Sequence, residues 1–512
     1  MAVTWNLENA AHLLRRAAFG GTPTEIQAFF SRNSSVTSAV NELLSFKPSK
    51  RKPPYTKDPS DVAPLHRWWY HEMIASKKPS DGVREKLTLF WHGHLVSGIT
   101  KQRDGKALSN QNLLFRLNAK GNFKDLVRAF HSDPANLYYL DGIVNQASSD
   151  YDTSHVIKAE PNENFGREIM ELFTLGVFQL ASDGSFDEAH PNYTEADVHQ
   201  LARALTGWVS IDKKGIAQWY SNLPNWDGGR CDDNGDGQPD DVTILGVTNN
   251  NFRIDPAVAG TDNDVLKLLF SRVDFEGNNA VAMHMASRFW TYYAYPSPST
   301  GLKAILAPFA QTFASNNFEV EPMLRAMWSS DEFYSDQAKS RTVKSPVDYI
   351  VGSMKTFGIV NTDAKQVYNS PELGDAAANM GQRLFDAPNV AGWKGGLTWI
   401  NSGTLLERLD FGKNLAASDG KKNSYKLDII PNLPKSATAS PTMILDAVLT
   451  FLNLNSGPKA IIASERQKLL DYLTTNGTVT TLDLSSTTTN DARVKVRGVI
   501  SLALQLPEYL VF

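Results

Sequence analysis

One kind of punctuation recurs along this chain and limits its fold more than any other feature: a capping oxygen, a proline, then residues at helical spacing. Thr22-Pro23-Thr24-Glu25 sets a hydroxyl before the helix, proline at its first position and a carboxylate three residues past the cap. Ser345-Pro346-Val347-Asp348 repeats the arrangement, and Asp133-Pro134 and Ser440-Pro441 use its first half. Proline suits that position because its missing N–H would have no helical partner there, while the cap oxygen accepts one of the free amides. Thr194-Glu195-Ala196-Asp197 and Thr261-Asp262-Asn263-Asp264 read as capping boxes with aspartate in place of glutamate. Val198, Leu201, Ala202 and Leu205 follow the first at helical spacing; Val265, Leu268 and Leu269 follow the second. Alternating apolar and polar runs are scarce and short. The sequence predicts a mainly α protein, a large helical array with few short strands.

Three stretches interrupt the helical pattern. Lys47 to Pro59 is rich in Lys and Pro and reads as an exposed connection. The segment from Ile211 to Gly260 is rich in Asn, Asp and Gly, a long insertion with short strands expected around Val242 to Val247. Ala416 to Ser440 is again polar, and Ser485 to Asn490 is a Ser/Thr loop. These breaks divide the chain into an N-terminal helical region (1–210), the insertion (211–262), a second helical region (263–415) and a C-terminal helical tail (416–512). No internal repeat of fixed period is evident.

Composition excludes several classes. An apolar fraction of 42% with 21% charged residues is that of a chain able to build a core, not of a disordered one. The 51 basic and 55 acidic residues nearly cancel, so no overall field draws the protein to nucleic acid or anionic membranes, and neither is an expected partner. The single cysteine, Cys231, rules out an internal disulfide and any multi-cysteine metal site. Beside Asp232 and Asp233, which disfavour the thiolate, its thiol is a poor nucleophile as well. Arg15-Arg16 is followed by Ala17-Ala18-Phe19-Gly20-Gly21, which reads as a helix end and not as an export signal. No run approaches the roughly 20 apolar residues that a membrane span needs.

The sharpest chemical signal lies in the insertion. Asp232, Asn234 and Asp236 occupy relative positions 1, 3 and 5, Gly237 stands at 6, and Gln238 offers its carbonyl at 7. That is the spacing with which a tight turn wraps oxygens around a hard cation. Thr243 stands where an EF-hand carries glutamate, so Asp240 or Asp241 would have to complete the shell. Calcium as a structural clip is the expectation; a solvated Asn/Asp/Gly turn without an ion is the competing one.

Two further stretches carry candidate chemistry. In Phe90-Trp91-His92-Gly93-His94 the imidazoles are two residues apart. On a strand they would share a side and could share a transition metal; on a helix they would lie about 200° apart. The Val83, Leu87, Trp91 spacing favours a helix, where one histidine in the core and one at the helix end is the plainer reading. Farther on, Glu163, Asn164, Arg167, Glu168 and Glu171 fall within an arc of about 140° on a helix, opposite Phe165, Ile169, Leu172 and Phe173. Facing water, Glu163, Arg167 and Glu171 would make i,i+4 ion pairs worth a few tenths of a kcal/mol each. Turned inward, Glu168 and Glu171 could hold a metal between helices, with Asp141 and Asn145 in the same polar cluster. No phosphate loop, His-Glu-x-x-His or Gly-x-Ser-x-Gly elbow occurs. The aromatic runs Trp68-Trp69-Tyr70 and Phe289 to Tyr293 read as core.

Several segments in a fixed order resemble one bacterial family, the domain of unknown function eighteen-hundred. They are His12 to Gly20, Phe90 to His94, Tyr139-Leu140-Asp141-Gly142, Asn162 to Gly176, Tyr193 to Trp208, Lys344-Ser345-Pro346 and Leu384 to Trp393. The resemblance implies polar family positions at His92, His94, Asp141, Asn162, Glu163, Asn164, Arg167, Glu168, Glu171, Tyr193, Asp197, Arg203 and Trp208. It also implies an envelope or secreted location and a sulfatase-like partner protein. Phe173 departs from the pattern, because relatives often carry histidine after Glu-Leu. Two functions follow as expectations. One is a metal-dependent enzyme acting in the cell envelope or on an exported polymer, with His92, His94, Glu163, Arg167, Glu168 and Glu171 near one pocket. The other is a non-enzymatic, calcium-stabilised surface or assembly protein that docks a partner.

Overall fold

A computed structural model of the 512-residue chain describes residues 3–145, 161–211, 217–219, 241–358, 372–417, 433, 439–484 and 491–512. Helices dominate, and the described strands form three antiparallel two-stranded pairs. The capping chemistry of the sequence is realised. Thr22 and Glu25 form a reciprocal box at the head of the Pro23–Arg32 helix, and Thr194 and Asp197 form another before Glu195–Ala204. Ser345, Asp133 and Ser440 each accept a backbone amide at the start of a helix. One cap moves: the Val265–Leu269 helix is capped by Asp264, not Thr261. The Asp264 carboxylate is already pinned by Arg128 at 2.8 Å and by the Gly260 amide at 2.7 Å, and this sets it over the Leu266 amide at 3.1 Å. The insertion's expected strands are Val242–Ile244 paired with Val247–Asn249.

Two buried apolar clusters carry the packing. The first runs from Ala10 to Ala338 and centres on Trp91, Phe289, Trp290 and Trp328. The second joins Val62 to Leu108 with Val347 to Leu510, so the N-terminal region contributes to both cores. The Pro79–His94 helix links them. It places Trp91 in the first cluster and Leu89 in the second, and its polar groups are neutralised inside. Glu85 pairs with Arg116, both fully buried, and Lys86 pairs with Asp348. Arg16 closes another helix end: its guanidinium donates to the carbonyls of Tyr292 (3.1 Å), Tyr293 and Ala294 (2.9 Å) after Ala280–Tyr293. Terminal carbonyls have no helical partner, and a cation there also meets the negative end of the helix dipole.

Among the described residues, no helix is long and apolar enough to cross a membrane.

Candidate active site

The Pro79–His94 helix runs through both histidines, so their rings leave it in different directions. His92 is buried against Trp69, Phe385 and Trp393, and its Nε2 accepts the Phe385 amide at 2.9 Å. His94 is buried among Phe90, Trp91, Phe123, Phe173 and His284, and its Nε2 donates to the Phe173 carbonyl at 3.1 Å. Burial holds both imidazoles neutral. It pushes His92 down to about 3, with the nearby His66 adding to the effect. It also lowers His94 well below the ordinary range, with Arg288 and His284 adding to it. The structure therefore gives the two rings separate surroundings, and among the described residues no three His, Cys, Asp or Glu side chains group around a common metal position.

His92 has a visible positioning task. By fixing the Phe385 amide it docks the Leu384 to Trp393 segment onto the helix end, and the Ile99 amide donates to the Phe385 carbonyl at 2.8 Å from the other side. Gly392 has φ +74°, and a Cβ there would stand 2.3 Å from the Gly93 carbonyl oxygen, so only glycine permits this approach. The consequence is local. Asp386, next in the chain, is set against Thr100, with its carboxylate 2.6 Å and 2.8 Å from the hydroxyl.

Asp386 borders a polar bay. Tyr139 and Gly98 adjoin it, and a Cβ on Gly98 would lie 3.2 Å from the Tyr139 ring and 3.4 Å from the Asp386 carboxylate. Asp141, at φ +62°, receives Lys101 at 2.8 Å and the Asn164 amide at 3.4 Å. Asn145 anchors the approach to the next helix, donating to the Ala202 carbonyl and accepting the Asn162 amide at 2.8 Å.

The carboxylate-rich helix does not continue as a regular α-helix. Glu163–Glu168 is α-helical, and Ile169–Thr174 widens into a π-helix, with the Thr174 hydroxyl bonded to the Ile169 carbonyl at 2.6 Å. Such widenings disturb the regular wheel and are frequent at functional sites. The polar arc expected from an ideal helix is divided: Glu163, Arg167 and Glu168 lie in the regular turn and Glu171 in the widened one. Glu163 and Arg167 face outward as an ion pair at 3.0 Å, and Arg167 takes Glu195 as its second partner, at 2.9 and 2.7 Å, in place of Glu171. His199 adds a contact to Glu163 at 3.2 Å.

Glu168 turns inward. Only 7% of it is exposed, and its Oε2 is buried without a hydrogen-bond partner. Burial first, then the charge of Glu171, pushes its carboxyl up to about 7, against a smaller opposing pull from Arg167. Tyr139 and Tyr193 are electrostatically tied to the same group. Burial raises both hydroxyls, Asp386 and Glu168 add to the effect at Tyr139, and Glu171 adds to it at Tyr193. The site thus joins Glu168 and Glu171 with Tyr139, Tyr193 and Asp386, leaving His92 and His94 in supporting packing. Asp386 and Tyr139 lay within recognised segments, but no periodicity distinguished them from their neighbours.

The calcium-type residues Asp232, Asn234, Asp236, Gln238 and Asp240 lie outside the described residues. Asp241 is described, exposed, at the edge of the Val242–Ile244 strand.

Fold and site together define a large helical protein with a buried carboxyl, Glu168, at the head of a π-helical widening and within electrostatic reach of Glu171, Tyr139 and Tyr193. The chain belongs to the family described as protein of unknown function (DUF1800), whose model matches residues 12–511. No curated protein and no solved structure matches it.

Proposed function

We propose that this protein is an enzyme that transfers protons through Glu168, acting on a hydroxyl-rich polymer of the cell envelope or one exported through it. The observation that carries the proposal is the buried Glu168 Oε2, unpartnered beside the Glu171 carboxylate in a bay bordered by two tyrosines. A buried acceptor left without a partner costs about 1–3 kcal/mol, and a fold retains that cost most readily where a ligand supplies the missing bond. A carboxyl that holds its proton near neutral pH, with a second carboxyl beside it, is the pairing used for acid–base work on glycosidic and related bonds. In such a pair Glu168 donates the proton to a leaving oxygen, and Glu171 accepts one from water or stabilises the positive charge that develops. Asp386 and Tyr139 orient the substrate's hydroxyls.

The envelope location and the sulfatase-like partner are supported by family resemblance alone. Calcium at Asp232 to Asp241 is supported by ligand spacing, as a clip on the insertion and not as part of the reaction. The test is turnover of a panel of bacterial envelope polysaccharides by the wild type and by Glu168→Gln and Glu171→Gln. Cleavage lost in both variants is the expected result. Cleavage retained in Glu168→Gln overturns the assignment.

A further inference from the structure

A second candidate site shares no residue with the carboxyl bay. A small pocket, partly open to solvent, is lined by Arg15, Phe19, Lys344, Asp348, Lys459 and Tyr509 among others. A neighbouring small pocket shares Arg15, Lys459 and Phe512 and is also lined by Glu8 and Lys339. Three cations therefore converge on one small space. We propose that it binds a tetrahedral oxyanion, phosphate or sulfate, free or as an ester, through Arg15, Lys344 and Lys459.

The argument rests on counter-charge. Lys344 is 8% exposed and Lys459 4%. Each ammonium has a single neutral acceptor, the Tyr509 carbonyl at 2.6 Å for Lys344 and the Val511 carbonyl at 2.8 Å for Lys459. An ammonium has three N–H donors, so both retain donors for a ligand. Among the described residues the Arg15 guanidinium makes no hydrogen bond or ion pair. Two of the acids at hand are already engaged. Asp348 pairs with Lys86 and accepts the Ser345 hydroxyl at 2.9 Å, and Glu8 pairs with Lys339 at 2.7 Å.

Glu8 attracts Arg15, Asp348 attracts Lys344 and Glu508 attracts Lys459, but among the described residues none of these acids forms an ion pair with them, and incompletely compensated charge in a buried place is expensive to hold. Burial is the main cost and repulsion adds to it: Lys344 is brought down to about 7 by burial and by Arg15, against a pull from Asp348, and Lys459 is lowered by burial, Lys344 and Arg15, against a pull from Glu508. A bound oxyanion would remove that cost and offer three or four acceptor oxygens to donors approaching from different elements. Arginine and lysine are the residues used for this purpose, because charge-assisted bonds to phosphate or sulfate oxygens are the strong ones. Phe19, Leu452 and Phe512 complete the wall with apolar surface, which strengthens those bonds by excluding water.

The proposal is tested on the full chain by titrating inorganic phosphate, sulfate and glycerol phosphate against sodium chloride of equal ionic strength, read by calorimetry and by melting temperature. The expected result is saturable stabilisation by oxyanion and not by chloride. Lys459→Gln and Arg15→Gln should each weaken the affinity roughly tenfold or more, the loss of one charge-assisted bond. Tighter binding of glycerol phosphate than of the free ions would identify an ester as the natural ligand; the reverse order would identify the free ion. Should Arg15→Gln fail to fold, Lys459→Gln and the wild-type titration decide. No saturable effect on the wild type, or unchanged affinity in Lys459→Gln, would falsify it. Neither result touches the assignment of Glu168, whose test reads polymer cleavage.

Discussion

Replacing Glu168 with glutamine should stabilise this protein above neutral pH while abolishing its proposed proton transfer. The side chain keeps its shape and loses only its ability to ionise. In the folded protein the carboxyl holds its proton up to about 7, against an ordinary value of 4.5. Between those two values the folded state binds more protons than the unfolded chain, so stability falls as pH rises across that window. The full difference, about 2.5 in pKa, corresponds to about 3.4 kcal/mol. Because solvent reaches the rim of the bay, screening reduces this to about 2 kcal/mol. With an unfolding entropy of about 2.1 cal/mol/K per residue over 512 residues, 2 kcal/mol is worth about 2 °C in melting temperature if the chain melts as a unit. Calorimetric scans of wild type and Glu168→Gln at pH 4 and pH 8 provide the measurement. The two should melt together at pH 4, and the variant should melt about 2 °C higher at pH 8. A variant that melts below the wild type at pH 8 would refute the reasoning, because Glu168 would then be a paired, structural carboxylate.

Other consequences can be read from single contacts. Arg116→Leu leaves the buried Glu85 carboxylate without its main partner and should cost about 3–5 kcal/mol in denaturant unfolding; the double variant Arg116→Leu with Glu85→Gln should recover part of that loss. Gly392→Ala drives a Cβ into the Gly93 carbonyl and should undock the segment that carries Asp386, so polymer cleavage should fall more steeply than melting temperature does. Protein purified without chelator should carry about one calcium per chain by mass spectrometry. Asp236→Ala should lose it, and a wild type free of calcium would remove the clip.

The helical character of the chain was legible because it is written locally. Thr22 with Glu25 and Thr194 with Asp197 each act within four residues, and no distant contact is needed to choose between helix and strand there. Thr261 shows the limit of that legibility. Its box was outcompeted because Arg128, far away in sequence, had already fixed the Asp264 carboxylate. The family resemblance was legible for a similar reason, since it rests on short segments read in order.

The site was legible only as a set of residue types. Sequence marked Glu168 and Glu171 as members of a polar arc, but an ideal helical wheel assigned them the same face as Glu163 and Arg167. Tertiary packing separated Glu168 from that pair: Arg167 meets Glu163 and Glu195 at the surface and Glu168 is buried, while the π-helical widening begins only at Ile169. Similarly, the sequence left His92 and His94 between a shared metal and the plainer reading of one core and one helix-end histidine, and packing gives one the Phe385 amide and the other the Phe173 carbonyl. What the sequence alone determined is the helical class, its caps and the family, because capping and periodicity act over a turn or two of chain. Only the tertiary structure decided which carboxyl is desolvated and which charges lack a counter-ion. Desolvation belongs to the surroundings of a side chain, and those surroundings come from segments hundreds of residues apart.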